Sequence, residues 1–193
     1  MSVAEKIYRL RVTLLNCKPS IWREIEVTSD MTLAGLHGVL QVLMGWHDSH
    51  LWAFEAGGKR FEPPDPDVRT HPAPIDDPHR STLGTLLEKM GAALRYNYDF
   101  GDDGWIEIKA LAIGRPEPKA RYPRCLAGER AGPPEDCGGP PGFEELLTAS
   151  KNPRNKHAKE LLEWMGPGWD PEAFDLPVIN KALAALPAPR RLH

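Results

Sequence analysis

Cysteine is scarce in this sequence, with Cys17, Cys125 and Cys137 the three present in 193 residues. So small and odd a number excludes the disulfide framework of a secreted mini-domain and points to a reducing cytoplasm. Long apolar runs are missing too. No stretch approaches the ~18 apolar residues of a membrane span, and Met1-Ser2-Val3-Ala4-Glu5-Lys6 leads into a strand pattern without the apolar core of a signal peptide. Neither export nor a membrane is expected. Basic charge is not in excess: 24 Lys and Arg against 27 Asp and Glu leave a formal net charge of -3. The footprint of a non-specific nucleic-acid binder is therefore absent, and nucleic acid is not an expected partner. The sequence also lacks a P-loop, a dinucleotide fingerprint, a catalytic-triad motif, paired metal-ligand spacings and any internal repeat.

What the chain has in quantity is proline and glycine, 20 and 17 residues, gathered mainly between Pro63 and Pro78 and between Gly114 and Gly142. Such blocks mark loop rather than regular structure. Elsewhere the periodicity is legible. Tyr8, Leu10, Val12 and Leu14 alternate with Arg9, Arg11 and Thr13, and Ile21, Arg23, Ile25 and Val27 alternate with Trp22, Glu24 and Glu26. These are two half-buried strands joined by the turn Asn16-Cys17-Lys18-Pro19-Ser20. Thr32 is an N-cap for a helix carrying Leu33, Leu36, Leu40, Leu43 and Met44 on one face, and Gly45 stops it.

A strand from His50 to Glu55, a Gly57-Gly58 turn, a return strand at Arg60-Phe61 and a short helix near Thr82 to Met90 follow. Leu94, Tyr96, Tyr98 and Phe100 then face Ile106, Ile108 and Ala110 in a hairpin. Matching the two faces pairs Phe100 with Ile106 and sets Asp99 opposite Glu107. Asn152-Pro153 opens a helix with Leu161, Leu162, Trp164 and Met165 on its apolar face. A last helix from about Asp175 buries Val178, Ile179, Ala182, Leu183 and Leu186. The order predicts an α+β domain: a β-grasp-like roll over residues 5–113, with a mixed or antiparallel sheet around one helix. A Pro/Gly-rich irregular segment at 114–142 and added C-terminal helices at 143–187 complete it.

Several motifs then become recognisable: Tyr96-Asn97-Tyr98-Asp99-Phe100-Gly101-Asp102, Tyr122-Pro123-Arg124-Cys125, and Pro133-Pro134-Glu135-Asp136-Cys137-Gly138-Gly139. Together with Leu36-His37, Gly45-Trp46, His50-Leu51 and Phe54, they closely resemble the plasmid pRiA4b Orf-3-like family over residues 5–186. The resemblance implies an α+β fold and carriage on bacterial chromosomes, plasmids and other mobile elements, and it supplies no reaction. One departure stands out. The family usually follows this hairpin motif with Asp-Trp and a histidine two residues on, whereas an ungapped alignment puts Gly104 at the tryptophan position and Ile106 at the histidine position. A family site built on that histidine would lack it here.

Two functions are compatible with these residues. The first is a cytoplasmic binding or adaptor module with a protein partner, suggested by long loops and by the missing catalytic motifs. Its recognition surface would use Tyr98, Asp99, Asp103, Trp105, Cys125 and Cys137. The alternative is a metal-dependent hydrolase, with a nuclease as the example that mobile elements suggest. Facing carboxylates destabilise a sheet unless compensated, and a divalent cation on Asp99, Asp102 and Glu107 would compensate them and activate a water. Glu135 and Asp136 are held between Pro133-Pro134 and Gly138-Gly139 and join His37 and His50 as catalytic candidates, with Glu135 also a possible ligand. Plainer accounts exist for each. Solvent, Arg95 and Lys109 relieve an exposed acidic face, and His37 and His50 serve as packing histidines. Cys125 and Cys137 lack the close-paired partners of a zinc site. No cofactor beyond a divalent cation is suggested.

Overall fold

A computed structural model describes residues 6–64 and 75–187 of the chain. Alternation places β1 (Ile7–Leu14) and β2 (Trp22–Thr28) side by side, antiparallel, with Leu10 opposite Ile25 and Arg11 opposite Glu24. Tyr8, Leu10, Val12 and Leu14 turn into the core, while Arg9 and Arg11 reach Glu24 on the outer face at 2.7 and 3.3 Å. Exposed pairs of this kind contribute a few tenths of a kcal/mol up to ~1. The apolar face does more. It buries against helix α1 (Leu33–Met44), whose Leu33, Leu36, Leu40 and Leu43 are all core residues. The Thr32 side chain caps the helix by accepting from the Gly35 N–H, and Gly45 ends it at φ 75°, a left-handed conformation that glycine adopts without a Cβ clash.

The chain then adds β3 (Trp52–Ala56), β4 (Lys59–Phe61), β5 (Ile75–Asp76) and a one-turn helix α2 (Leu83–Leu86). The hairpin β6 (Ala93–Tyr98) and β7 (Gly104–Gly114) follows, then β8 (Arg124–Glu129). Helices α3 (Gly139–Lys151), α4 (Lys156–Met165) and α5 (Leu176–Ala185) complete the described chain. One eight-stranded sheet results, in the order β5-β4-β3-β6-β7-β1-β2-β8, mixed because β4 and β5 run parallel while every other pair is antiparallel. The fold is thus α+β, as the element order predicts.

Three differences from the sequence expectation have physical causes. The block 114–142 is not wholly irregular, because Arg124–Glu129 pairs with β2 and extends the sheet. Its outer edge is covered by α5, where the Asn180 amide both accepts from the Cys125 N–H at 2.8 Å and donates to the Cys125 carbonyl at 2.9 Å. Asn152 ends α3 rather than opening the next helix; Asn155 caps α4 instead, accepting from the Ala158 N–H. The apolar stripes of α4 and α5 are only partly covered, leaving Trp164 and Val178 exposed. Most of the first Pro-rich block, residues 65–74, lies outside the described residues.

Alternation also carries Arg23 onto the apolar face, where it is 2% exposed. Its Nε donates to the Leu43 carbonyl at 3.1 Å, Nη1 to the carbonyls of Trp22 and Glu129 at 2.7 Å each, and Nη2 to that of Arg130 at 2.6 Å. The Phe174 ring lies 5.0 Å away, against the guanidinium. Burial lowers the guanidinium pKa to about 10, so it stays charged at neutral pH. The acceptors are backbone carbonyls, among them one from the last turn of α1, where the helix dipole is negative. Replacing Arg23 with Met is expected to lower unfolding stability by about 3 kcal/mol or more, since several buried carbonyls lose their donors at once. Arg23→Lys should fall between Met and wild type. Urea unfolding of the three proteins checks this, and a Met variant within about 1 kcal/mol of wild type would refute it.

Candidate functional site

The site begins where β6 ends. Tyr96 pairs with Ile106 and Tyr98 with Gly104, so the connecting loop is Asp99 to Asp103. Asp99 sits at φ 56° and its Oδ1 accepts from the N–H groups of Gly101 and Asp102 at 3.0 and 3.3 Å, a local turn that aspartate forms readily. This corrects the expected register. Glu107 lies opposite Arg95 rather than Asp99 and is not among the groups gathered at the site. Phe100, expected in the strand, is exposed in the loop.

The second wall is the segment from Pro133 to Gly139. The Trp46 indole N–H donates to the Pro133 carbonyl at 2.9 Å, and the Gly138 N–H donates to Asp102 Oδ2 at 3.0 Å. At Gly139, with φ 65°, a Cβ would lie 2.2 Å from the Asp102 carbonyl oxygen, so only glycine allows the two loops to meet. Glu135 is the fastening point. Its Oε1 accepts from the Tyr98 hydroxyl at 2.5 Å and the Ser49 hydroxyl at 3.1 Å, and its Oε2 lies 2.8 Å from His47 Nδ1. Burial pushes the Glu135 pKa up, but these hydrogen bonds outweigh it and hold the carboxyl down at about 2. Glu135 is a fixed anion that positions the loop, not a proton carrier near neutral pH.

Between the walls stands His50. Its Nδ1 is 3.5 Å from Asp99 Oδ2, and its Nε2 is 3.3 Å from Asp136 Oδ1. One donor atom from each of His50, Asp99 and Asp136 lies within 4.8 Å of the other two. Although Asp136 is near, His50 Nε2 makes no hydrogen bond of acceptable geometry and has no access to solvent. The three residues line a cavity of about 40 Å³ together with Leu15, Cys17 and Trp46, enough for an ion with water. The Trp46 ring stacks on Tyr98 at 4.8 Å and closes one side. One imidazole and two carboxylates suit a divalent cation, and three protein donors leave positions open for water.

The other candidates fall elsewhere or take other parts. His37 is buried, bonded through Nδ1 to the Tyr96 hydroxyl at 2.8 Å and through Nε2 to Asp48 at 2.9 Å, and stacked on Trp52 at 4.1 Å. Burial lowers its pKa, and with both nitrogens engaged by Tyr96 and Asp48 its place is that of a packing histidine. Asp102 lines the cavity but gives Oδ2 to Gly138. Asp103 is exposed and accepts from the half-buried Trp105 indole. Tyr98 and Cys125 are buried and present no recognition surface, which corrects that expectation. Cys137 lines the cavity with Cys17 rather than with Cys125, and burial pushes both thiols up to about 11. Neither is a thiolate at neutral pH, which disfavours a nucleophilic cysteine.

Sequence reasoning missed Cys17, Ser49, His47 and Trp46. The density of polar residues in Gly45-Trp46-His47-Asp48-Ser49-His50, directly after a helix-ending glycine, was the available signal.

Fold and site together define an α+β protein whose long β6–β7 hairpin and a Pro/Gly loop close over a small His/Asp-lined cavity. The sequence matches the family described as plasmid pRiA4b ORF-3-like protein over residues 6–178, and the chain belongs to that family. It is 34% identical over 183 residues to "Uncharacterized protein y4hQ" of Sinorhizobium fredii (strain NBRC 101917 / NGR234), covering 94% of this chain and 93% of that protein. It also resembles the crystal structure of MM3350, a protein of unknown function from Methanosarcina mazei Go1. That likeness has 31% identity and a TM-score of 0.81, covering 91% of this chain and 98% of the other. The departure at the hairpin has a structural counterpart: a Cβ on Gly104 would lie 2.6 Å from the Tyr98 carbonyl oxygen, and Ile106 is fully buried in the core.

The position of Glu135 predicts a pH signature. Its folded pKa of about 2 lies below the ordinary 4.5, so its contribution is present above pH 4.5 and is lost as pH falls toward 2. Wild type should therefore lose stability more steeply than Glu135→Gln over that window in urea unfolding at stepped pH. Parallel curves would contradict the anchor role.

Proposed function

We propose that the protein is a metal-dependent hydrolase in which His50, Asp99 and Asp136 hold one divalent cation. The observation that carries this reading is the convergence of these three residues around a buried imidazole nitrogen without a hydrogen bond. A neutral imidazole has one N–H, so with a carboxylate facing each nitrogen a lone pair is set against an anion. A cation between the donors relieves that contact. Bound there, it would bring the pKa of a coordinated water toward neutrality and supply a nucleophile. Glu135, Tyr98 and Ser49 would keep the loop that carries Asp136 in place.

The adaptor reading stands second. Asp103 remains available to a protein partner, but buried Tyr98 and Cys125 do not. For the scaffold we infer a β-grasp-like roll, supported by the burial of Leu33, Leu36 and Leu40 in one core with the sheet. Three free cysteines support a reducing cytoplasm, and among the described residues no helix is long and apolar enough to cross a membrane.

Thermal melts with Mg²⁺, Mn²⁺ or Zn²⁺ test the site. Binding to the native state at about 100 times Kd stabilises by about 2.7 kcal/mol, a Tm rise of about 5–10 °C for a chain of this size. At least one ion should produce it, and His50→Gln or Asp99→Asn should abolish it. Unchanged melting with all three ions would end the metal reading.

A further inference from the structure

Resting on the metal-dependent reading above, we propose that the substrate is a neutral carboxylic ester or amide with a small acyl group, not a phosphodiester. The first ground is charge. The cavity is lined by Asp99, Asp102, Glu135 and Asp136, and no lysine or arginine is among its described lining residues. Arg60, whose guanidinium lies 5.2 Å from the Phe100 ring beside the hairpin loop, is already paired with Glu55 and Glu62. One divalent cation balances two of four carboxylates, so the site keeps a negative surplus that repels a phosphodiester. Enzymes that hydrolyse phosphate esters surround the phosphoryl group with cations, and here such cations are wanting.

The second ground is shape. At about 40 Å³ the cavity is far below the size that encloses a drug-like ligand, so beside a cation no acyl substituent larger than a methyl could enter it. Apolar side chains also line it, among them Leu14, Leu15, Pro133 and Pro140. An acetyl-like acyl group would place its methyl against these walls and its carbonyl at the cation.

The step balances without any redox partner. A cation-bound water gives one proton to solvent, and the resulting hydroxide forms a bond to the carbonyl carbon. The bond from that carbon to the leaving oxygen or nitrogen breaks, and the leaving group takes up the proton of the newly bound hydroxyl, which leaves a carboxylate. The carboxylate product is an anion, which the acidic rim expels.

The test uses the full chain loaded with whichever of Mg²⁺, Mn²⁺ or Zn²⁺ raises its Tm, with metal-free protein and Asp99→Asn as background. Three probes are compared: 4-nitrophenyl acetate, 4-nitroacetanilide and bis(4-nitrophenyl) phosphate. The expected result is metal-dependent release from at least one acyl probe, with kcat/KM about 100-fold or more above the phosphodiester. The two acyl arms separate ester from amide. Leu15→Phe, which narrows the apolar side of the cavity, should lower acyl turnover at least about tenfold while keeping the metal-induced Tm rise. Cleavage of the phosphodiester at a rate equal to or above both acyl probes overturns this substrate class and leaves the metal-dependent hydrolase standing. Metal binding with no probe cleaved overturns the hydrolase and its substrate together, and no binding overturns the site itself.

Discussion

The clasp formed by Arg23 governs the architecture around the site. A guanidinium points five donors in a fixed fork into a cluster of buried carbonyls, and here the carbonyls come from β2, the last turn of α1 and the end of β8. The segment after α1 carries Trp46, Ser49 and His50, and the segment after β8 carries Glu135 and Asp136. Both walls of the cavity therefore spring from points that one buried charge ties together. Gly132 adds to this restraint: a Cβ there would lie 2.2 Å from the Met44 carbonyl oxygen, so the two segments run in contact.

Around the cavity, acidic side chains are tolerated because most are already satisfied. Glu135 accepts from Tyr98 and Ser49 and contacts His47, Asp99 accepts from two loop amides through one oxygen, and Asp102 accepts from Gly138. The remainder differs. Asp99 Oδ2 faces His50 Nδ1 at 3.5 Å, and the Asp136 carboxylate faces His50 Nε2, which makes no hydrogen bond, at 3.3 Å. Satisfied groups give the site its shape, and the unsatisfied ones are those on which the proposed chemistry rests. Asp136 is the most adaptable of the three, with 70% of its side chain exposed. In the proposed cation site it is the ligand with the most room to adjust, whereas His50 and Asp99 are largely covered.

Much of the fold was legible because burial imposes a period. Strands β1 and β2, helix α1 with its Thr32 cap and Gly45 stop, and the inward faces of the β6–β7 hairpin all follow from alternation or from helical spacing. The same rule has a blind spot. Shifting the partner of Ile106 from Phe100 to Tyr96 moves the register by four residues and leaves every side chain on its original face, so apolar pattern alone could not choose. The turn chemistry of Asp99 and Asp103, each at positive φ, decided it. Strand β8 was hidden by flanking prolines, since its pairing is supplied by β2, almost a hundred residues earlier in the chain, rather than by a local turn.

By itself, then, the sequence determined the α+β class, the family and the residue types from which a site could be built. His50, Asp99 and Asp136 were each singled out, yet nothing local separated His50 from His37, or Asp136 from Glu135. Tertiary structure made those distinctions. His37 spends both nitrogens on Tyr96 and Asp48, and Glu135 is fastened by Tyr98 and Ser49 with His47 at its second oxygen, so both are committed to holding the fold. Hydrogen-bond capacity is a property of three-dimensional neighbours, and these neighbours come from stretches as much as 88 residues apart.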